Sequence, residues 1–363
     1  MKITRVTANY YSWPRARPIS NGSHTWSDVV RCVLKIETDE GITGYGIGSA
    51  SDGERQLREA FAVRLIGMDP LMTERIWSTL WDSKLYGRRG HETAALSSID
   101  MALWDIKSKY AGLPLHLLLG GYSDKMPVYI AGGYYMDGEG ITELQREMLS
   151  YVELGARAVK MKIGRLSIRE DVQRVRAVRE AIGPDIALMV DANTSYRYFE
   201  AIQIAKRLEE YDLFWLEEPV APDDYAGYEK IAAHTSITLA AGEQEYTKYG
   251  FRDLIETGAV GILQPDARWM GGVTEFRKVA ALAESSGLAI SAHGDHQINL
   301  PLMASIPCGI WMEYYPAAFD PMLASFYTEG AVLDADGCLR VPEVVGNGCT
   351  PDESRLASYR VKL

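Results

Sequence analysis

After Pro127 the chain repeats one pattern: a short, almost wholly apolar stretch followed by a longer segment with helical periodicity. The apolar stretches are "VYIAG" from Val128, "AVKMKIG" from Ala158, "ALMVDAN" from Ala187, "LFWLEEP" from Leu213, "TLAAGE" from Thr238, "GILQPD" from Gly261, "AISAHG" from Ala289 and "GIWMEYY" from Gly309, eight in all. Between them, segments such as 167–182 carry Ile168, Val172, Val175, Val178 and Ile182 at spacings of four, three, three and four, which is one buried helix face. Strands apolar on both faces need helices on both sides, so the sheet is parallel, and eight such units close into a barrel. An open doubly wound sheet is the alternative.

The preceding residues have a different texture. Ile3 to Tyr11, Val29 to Thr38 and Ile42 to Gly48, with a turn at Asp39-Glu40-Gly41, predict an antiparallel meander. Helical patterns follow and end at Gly120-Gly121. The expected organisation is therefore α/β: an N-terminal α+β domain over 1–125, a barrel over 126–320 and a C-terminal segment over 321–363.

Charge and cysteine usage exclude several function classes. With 38 basic against 49 acidic residues, the chain offers no basic stripe for nucleic acid to follow. No apolar run approaches the length of a membrane span, and Met1 to Tyr10 lacks the apolar stretch of a signal peptide. The four cysteines are scattered without C-x-x-C spacing, as suits reduced thiols in a cytoplasmic enzyme. The expected partner is a small-molecule carboxylate, with neither nucleic acid nor membrane, and the expected assembly is a homo-oligomer.

The chemistry lies at the strand ends. Lys160 and Lys162, Asp191 and Asn193, Glu217, Glu243, Asp266, His293 and Glu313 each fall at the C-terminal tip of a strand, about one β-α unit from the next. In a barrel these tips converge on one mouth. A single such carboxylate would more often be a cap or an ion-pair partner, but the whole set in register is not accounted for that way. Asp191, Glu217 and Glu243 would repel one another unless a hard cation sat among them, and oxygen-only ligands favour Mg²⁺, with Mn²⁺ as a substitute. Lys160 and Lys162 share a strand face, so Lys162, crowded by Lys160 and a cation, is expected to have a lowered pKa and to act as a base. Asp266, one unit before His293, is expected to fix the imidazole tautomer and support its protonated form. A cation between two bases suits removal of a proton next to a carboxylate.

Lys160-Met161-Lys162, Asp191-Ala192-Asn193, Glu217-Glu218-Pro219, Gly242-Glu243, Asp266 ahead of Gly271-Gly272, His293 and Glu313 together resemble the enolase superfamily, in its mandelate racemase subgroup, over nearly the whole chain. The resemblance implies a (β/α)7β TIM-like barrel with an N-terminal capping domain, to which the segment after about 320 returns. It implies Lys162 and His293 as the acid/base pair with Mg²⁺, an enediolate intermediate, and Glu313 as a donor to the substrate carboxylate. Muconate-lactonizing relatives carry a lysine where Asp266 stands here, which argues against that subgroup.

For the substrate, the polar loops "SNGSHTW" (Ser20 to Trp26), "YGRRGH" (Tyr86 to His91) and "GDHQ" (Gly294 to Gln297) are expected to cover the mouth, with His24, Trp26, Arg89 and Asn193 as substrate contacts. A wet lid suits a polyhydroxylated acid. Within the resembled subgroup this points to dehydration of a sugar acid to a 2-keto-3-deoxy acid. Racemisation, epimerisation or cycloisomerisation is the alternative, and a metal- and sugar-acid-binding protein without turnover is the least favoured.

Overall fold

The computed structural model describes every residue except Ser83, Leu85, Tyr86, Arg88 and Leu363. Two positions of the expected lid loop, Tyr86 and Arg88, thus lie outside the described residues.

The chain opens with three antiparallel strands, β1 (Ile3–Ser20), β2 (Thr25–Thr38) and β3 (Thr43–Gly48). The first hairpin is longer than its apolar pattern predicts, so "SNGSHTW" is the tip of a ribbon rather than a separate loop. The β1–β2 register slips between Pro14 and Ile19. Pro14 and Pro18 bracket that slip, and neither has an N–H to give to a ladder. The long helix His91–Ala111 packs under this sheet and ends at Gly112 in a left-handed cap. Gly46 allows the approach, because a Cβ there would stand 1.8 Å from the carbonyl oxygen of Ser98.

The barrel strands are β4 (Lys125–Gly132), β5 (Ala158–Lys162), β6 (Ala187–Asp191), β7 (Leu213–Glu217), β8 (Leu239–Ala241), β9 (Ile262–Leu263), β10 (Ala289–Ile290) and β11 (Met312–Tyr314). Each pairs in parallel with the next from β4 to β10, and β11 pairs in parallel with β4. A parallel bridge from Ile290 to Gly309 closes the remaining seam, so these eight strands form a closed barrel among the described residues. The helix Ile168–Ile182 illustrates why the intervening segments are helical. Ser167 caps its start and accepts from the Glu170 N–H, Glu170 returns the bond to the Ser167 N–H, and Val175, Val178 and Ile182 are buried against the barrel.

Period-two alternation sorts the strand residues. Val159, Met161, Leu188, Val190 and Leu216 join the large outer core with the helices, whereas Tyr129, Ala158, Met189, Trp215, Ala240 and Ile262 form a separate cluster. Lys160 and Lys162 lie in phase with Ala158, on the face turned to the barrel axis.

Beyond residue 320, β12 (Val332–Leu333) and β13 (Cys338–Arg340) form a hairpin, and β13 pairs antiparallel with β4. β14 (Arg360–Val361) pairs with β1, so this segment touches both the barrel and the N-terminal sheet. A second tie joins the two at Gly271-Gly272. The Gly271 N–H donates to Ser97 Oγ at 2.8 Å, Trp77 Nε1 donates to the Gly271 carbonyl at 2.9 Å, and Asp100 receives the Thr274 N–H at 2.8 Å.

Candidate active site

Register builds the site. Lys162 stands opposite Asp191, and Asp191 opposite Glu217, at the last residues of three adjacent strands. Glu243, Asp266 and His293 follow just past the ends of β8, β9 and β10, and Glu313 sits within β11.

Asp191, Glu217 and Glu243 converge, with one carboxylate oxygen from each lying within 4.8 Å of the others. Burial and the nearby Asp191 charge push the Glu217 carboxyl up, and Lys160 opposes the shift. Burial also works against the charged form of Asp191, but Lys162 and Lys160 hold its carboxyl below the usual range. Glu243 Oε2 is buried without a hydrogen-bond partner and lies 3.3 Å from His293 Nε2. An orphaned carboxylate oxygen facing two further carboxylates is the donor set of a hard divalent cation, so the residues present fit Mg²⁺.

The two lysines do different things. Lys160 Nζ donates to Glu217 Oε1 at 2.6 Å and lies 3.0 Å from Glu313 Oε1, with Tyr129 3.3 Å away. Lys162 Nζ donates to Asp191 Oδ2 at 2.5 Å and sits 5.2 Å from the centre of the Tyr134 ring. The expected lowering of the Lys162 pKa depends on the cation, and the protein's own groups do not supply it. Burial does pull it down, but the Asp191 carboxylate outweighs both burial and the Lys160 charge, and the amine is raised above its ordinary value. Only a cation that draws off the Asp191 charge would reverse that balance.

Across the site, Asp266 Oδ2 lies 3.1 Å from His293 Nδ1. Burial lowers the imidazole pKa, but Glu243, Glu313 and Asp266 prevail and raise it to about 9. Sequence reasoning missed Arg268, whose Nε lies 3.0 Å from both Asp266 oxygens and whose Nη2 lies 2.5 Å from Oδ2. The pair is thus a chain of three, and its only signal in the sequence is the Asp-Ala-Arg at a strand end. Trp215 and Tyr315 were likewise missed. Trp215 Nε1 donates to Glu217 Oε2 at 2.9 Å, and the Tyr315 hydroxyl donates to Glu313 Oε1 at 3.2 Å.

Glu313, expected to donate to the substrate carboxylate, lies among Lys160, His293 and Tyr315. Burial opposes its ionisation, but Lys160 and His293 bring its carboxyl down to about 2, so it is a carboxylate that accepts from the Gly294 N–H at 2.5 Å and from Tyr315. A substrate carboxylate placed beside it would add a like charge and favour uptake of a proton, which the expected donor role requires.

The expected substrate contacts divide. Asn193, in left-handed backbone at φ 41°, gives its N–H to Asp191 Oδ1 at 2.9 Å and leaves its own Oδ1 buried and unpartnered. The hairpin tip lies over the same loop, where Ser23 Oγ donates to the Asn193 carbonyl at 3.2 Å. His24 and Trp26 stack on each other at 5.8 Å on that tip, with Trp26 exposed. Arg89 is committed elsewhere: all three of its guanidinium nitrogens are taken by Glu245, Asp223 and Tyr225.

Comparison with known proteins agrees with this geometry. Residues 3–120 match the mandelate racemase / muconate lactonizing enzyme N-terminal domain, and residues 143–355 match the enolase C-terminal domain-like family. A 3,6-anhydro-alpha-L-galactonate cycloisomerase of Streptomyces coelicolor is 35% identical over 99% of both chains. An arabinonate dehydratase of Saccharolobus solfataricus is 32% identical over 90% of both. The crystal structure of a racemase from Streptomyces coelicolor with bound magnesium superposes with a TM-score of 0.92 at 35% identity, covering 99% of this chain and 100% of that one. With both of its domains matched and its barrel carrying the three-carboxylate cluster, the chain belongs to the mandelate racemase / muconate lactonizing enzyme family of the enolase superfamily.

Proposed function

We propose that the protein is a Mg²⁺-dependent enzyme that takes the α-proton from a sugar acid and expels the β-hydroxyl as water, giving a 2-keto-3-deoxy acid. The observation that carries this reading is the placement of Lys162 and the Asp266–His293 pair on opposite flanks of the three ligand strands, with Lys162 beside Asp191 and His293 beside Glu243. A cation held by Asp191, Glu217 and Glu243 would bind the substrate carboxylate and neutralise the charge that develops as the α-proton leaves.

The chain's own groups supply the rest. Lys160, charged between Glu217 and Glu313, is placed to hold the substrate carboxylate in line. One of Lys162 and His293 takes the α-proton, and the other, protonated, delivers a proton to the departing hydroxyl, which leaves as water. The enol so formed tautomerises to the ketone. Asn193 Oδ1, unpartnered beside the cluster, accepts from a substrate hydroxyl, and His24 and Trp26 close over it from the hairpin tip.

Cycloisomerisation is the second reading, favoured by the cycloisomerase relative at 35% identity. It shares the first proton abstraction and differs in which oxygen leaves. The test is incubation in deuterium oxide with aldonic, uronic and aldaric acids and their lactones, comparing wild type with His293→Asn and Lys162→Ala. A 2-keto-3-deoxy product with α-deuterium chemistry lost in one or both variants is expected. Exchange or isomerisation without any keto product would replace the dehydratase by the isomerase.

This reading includes the division at 125 and 320 and a cytoplasmic homo-oligomer. All four cysteines are unpaired, and no helix among the described residues is long and apolar enough to cross a membrane.

A further inference from the structure

His293 separates the carboxylate cluster from a second cavity, of 140 Å³, that the acid/base chemistry does not use. The cavity opens on His293, and Tyr134, whose ring lies 5.2 Å from Lys162 Nζ, lines it on the side of the second acid/base group. A substrate whose α-carbon lies between Lys162 and His293 must run the rest of its chain somewhere, and this is the adjoining space.

Three guanidiniums line it, those of Arg15, Arg31 and Arg268. Arg268 is spent on Asp266. Arg31 is different: its Nε is buried without a partner, and no carboxylate oxygen lies within ion-pair distance of it among the described residues. Arg15 Nε is also buried and unpartnered, and the side chain reaches only a long contact of 3.8 Å with Asp320. The one carboxylate in the lining, Asp295, is occupied by the Tyr327 hydroxyl at 2.9 Å and the Gln297 N–H at 3.1 Å. Burial of the guanidinium, reinforced by the Arg268 charge, pulls the Arg31 pKa below its ordinary value, and the more distant Asp295 offsets this only in part.

Both arginines come from the first hairpin. Arg15 falls in the register slip of β1 between Pro14 and Ile19, and Arg31 pairs with Tyr11 in the β1–β2 ladder. Both come from the N-terminal sheet while the reacting groups come from the barrel, so the cavity lies where the two meet. Its volume has room for several water-sized groups, which suits a carboxylate with an adjoining hydroxyl-bearing carbon. The Phe319 ring, 5.6 Å from the Arg15 guanidinium, supplies an apolar wall.

We propose that this cavity receives a second carboxylate, held by Arg31 and Arg15, and that the substrate is a dicarboxylic sugar acid, an aldarate, rather than a monocarboxylic aldonate. The proposal rests on the sugar-acid reading above and narrows it. Two guanidiniums with unpartnered donors match the bidentate geometry of a carboxylate, and a terminal hydroxymethyl would leave them uncompensated.

The experiment uses stereochemically matched pairs of hexaric and hexonic acids, which differ only in whether the terminal carbon is a carboxylate or a hydroxymethyl. Turnover and calorimetric binding to the Mg²⁺-loaded protein are both measured. The best hexarate is expected to exceed its hexonate twin by about 100-fold in kcat/KM or in affinity. In Arg31→Gln that ratio is expected to fall below about 10-fold, with Arg31→Lys intermediate. Arg31 has no partner to strand, and if Arg31→Gln nevertheless fails to fold, Arg31→Lys and Arg15→Gln carry the same comparison. A hexonate preferred over every hexarate, or a ratio unmoved by all three variants, would overturn the proposal while leaving the dehydratase intact. Arg31-dependent binding of a hexarate without exchange or keto product would uphold the proposal and sink the dehydratase.

Discussion

The Lys160 ammonium donates to Glu217 Oε1 across 2.6 Å in a barrel interior where neither side chain is exposed. The same nitrogen lies 3.0 Å from Glu313, so one lysine balances two buried carboxylates. Removing it strands them. Lys160→Met is expected to destabilise the metal-free protein by about 3–5 kcal/mol at neutral pH, the usual effect of leaving a buried charge unpaired. Magnesium should recover part of the loss, because a cation on Glu217 replaces the missing charge. Denaturant titration with and without Mg²⁺ measures both, and equal stability of variant and wild type would show that Glu217 and Glu313 are already neutral.

The metal prediction concerns Glu217 itself. Its Oε1 is shared with Lys160 and its Oε2 with the Trp215 indole, so the carboxylate is held in place before any ion arrives. Glu217→Gln keeps the shape and one acceptor but removes the charge, and Mg²⁺ affinity is expected to fall by roughly 10- to 100-fold. Titration calorimetry reads this directly. Unaltered affinity would mean that the cation sits elsewhere.

The barrel was legible because its strands are apolar on both faces and its polar residues recur at strand ends. Asp266 and His293 could be paired by counting one β-α unit. Register was not legible: from sequence the nearest charge to Lys162 is Lys160, whereas the paired strand puts Asp191 directly against it. The contact of Glu313 with Lys160 was hidden for the same reason, since the two are remote in sequence and adjacent across the barrel. Arg15 and Arg31 carried no signal at all, because an arginine in a β-ribbon reads as an exposed polar face until the ribbon is docked on the barrel. The hairpin exceeded its pattern because its outer half alternates poorly and is interrupted by two prolines.

The Arg268–Asp266–His293 chain makes a kinetic prediction. Asp266 is held as an anion by Arg268 and supports a charge on His293 that matters when the imidazole carries a proton in the reaction. Asp266→Asn is therefore expected to lower kcat by about 10²–10⁴ while KM changes by less than about fivefold. Arg268→Met should lower kcat less, since Asp266 then keeps His293 and the Arg268 N–H, 2.9 Å from Oδ1. A loss confined to KM in Asp266→Asn would show a role in packing the site rather than in proton transfer.

The last prediction lies where the barrel meets the N-terminal sheet's long helix. Asp100 is buried and receives the Thr274 N–H at 2.8 Å and the Thr274 hydroxyl at 2.6 Å, while the Trp104 indole donates to that hydroxyl oxygen at 2.8 Å. Burial raises the Asp100 carboxyl to about 7 although both Thr274 bonds favour the anion. An acid whose folded pKa exceeds its unfolded one binds more protons in the native state, so its contribution is complete below about pH 4 and is lost as pH rises through about 7. The loss approaches roughly 4 kcal/mol at the upper end, at about 1.4 kcal/mol per pH unit. Asp100→Asn cannot titrate and keeps one acceptor for Thr274. The difference in unfolding free energy between wild type and Asp100→Asn should therefore move against wild type between about pH 5 and 7 and level off above it. Denaturant unfolding at half-unit pH steps checks the slope, and a difference constant across that range would mean that Asp100 is ionised throughout, held as an anion by Thr274 against its burial.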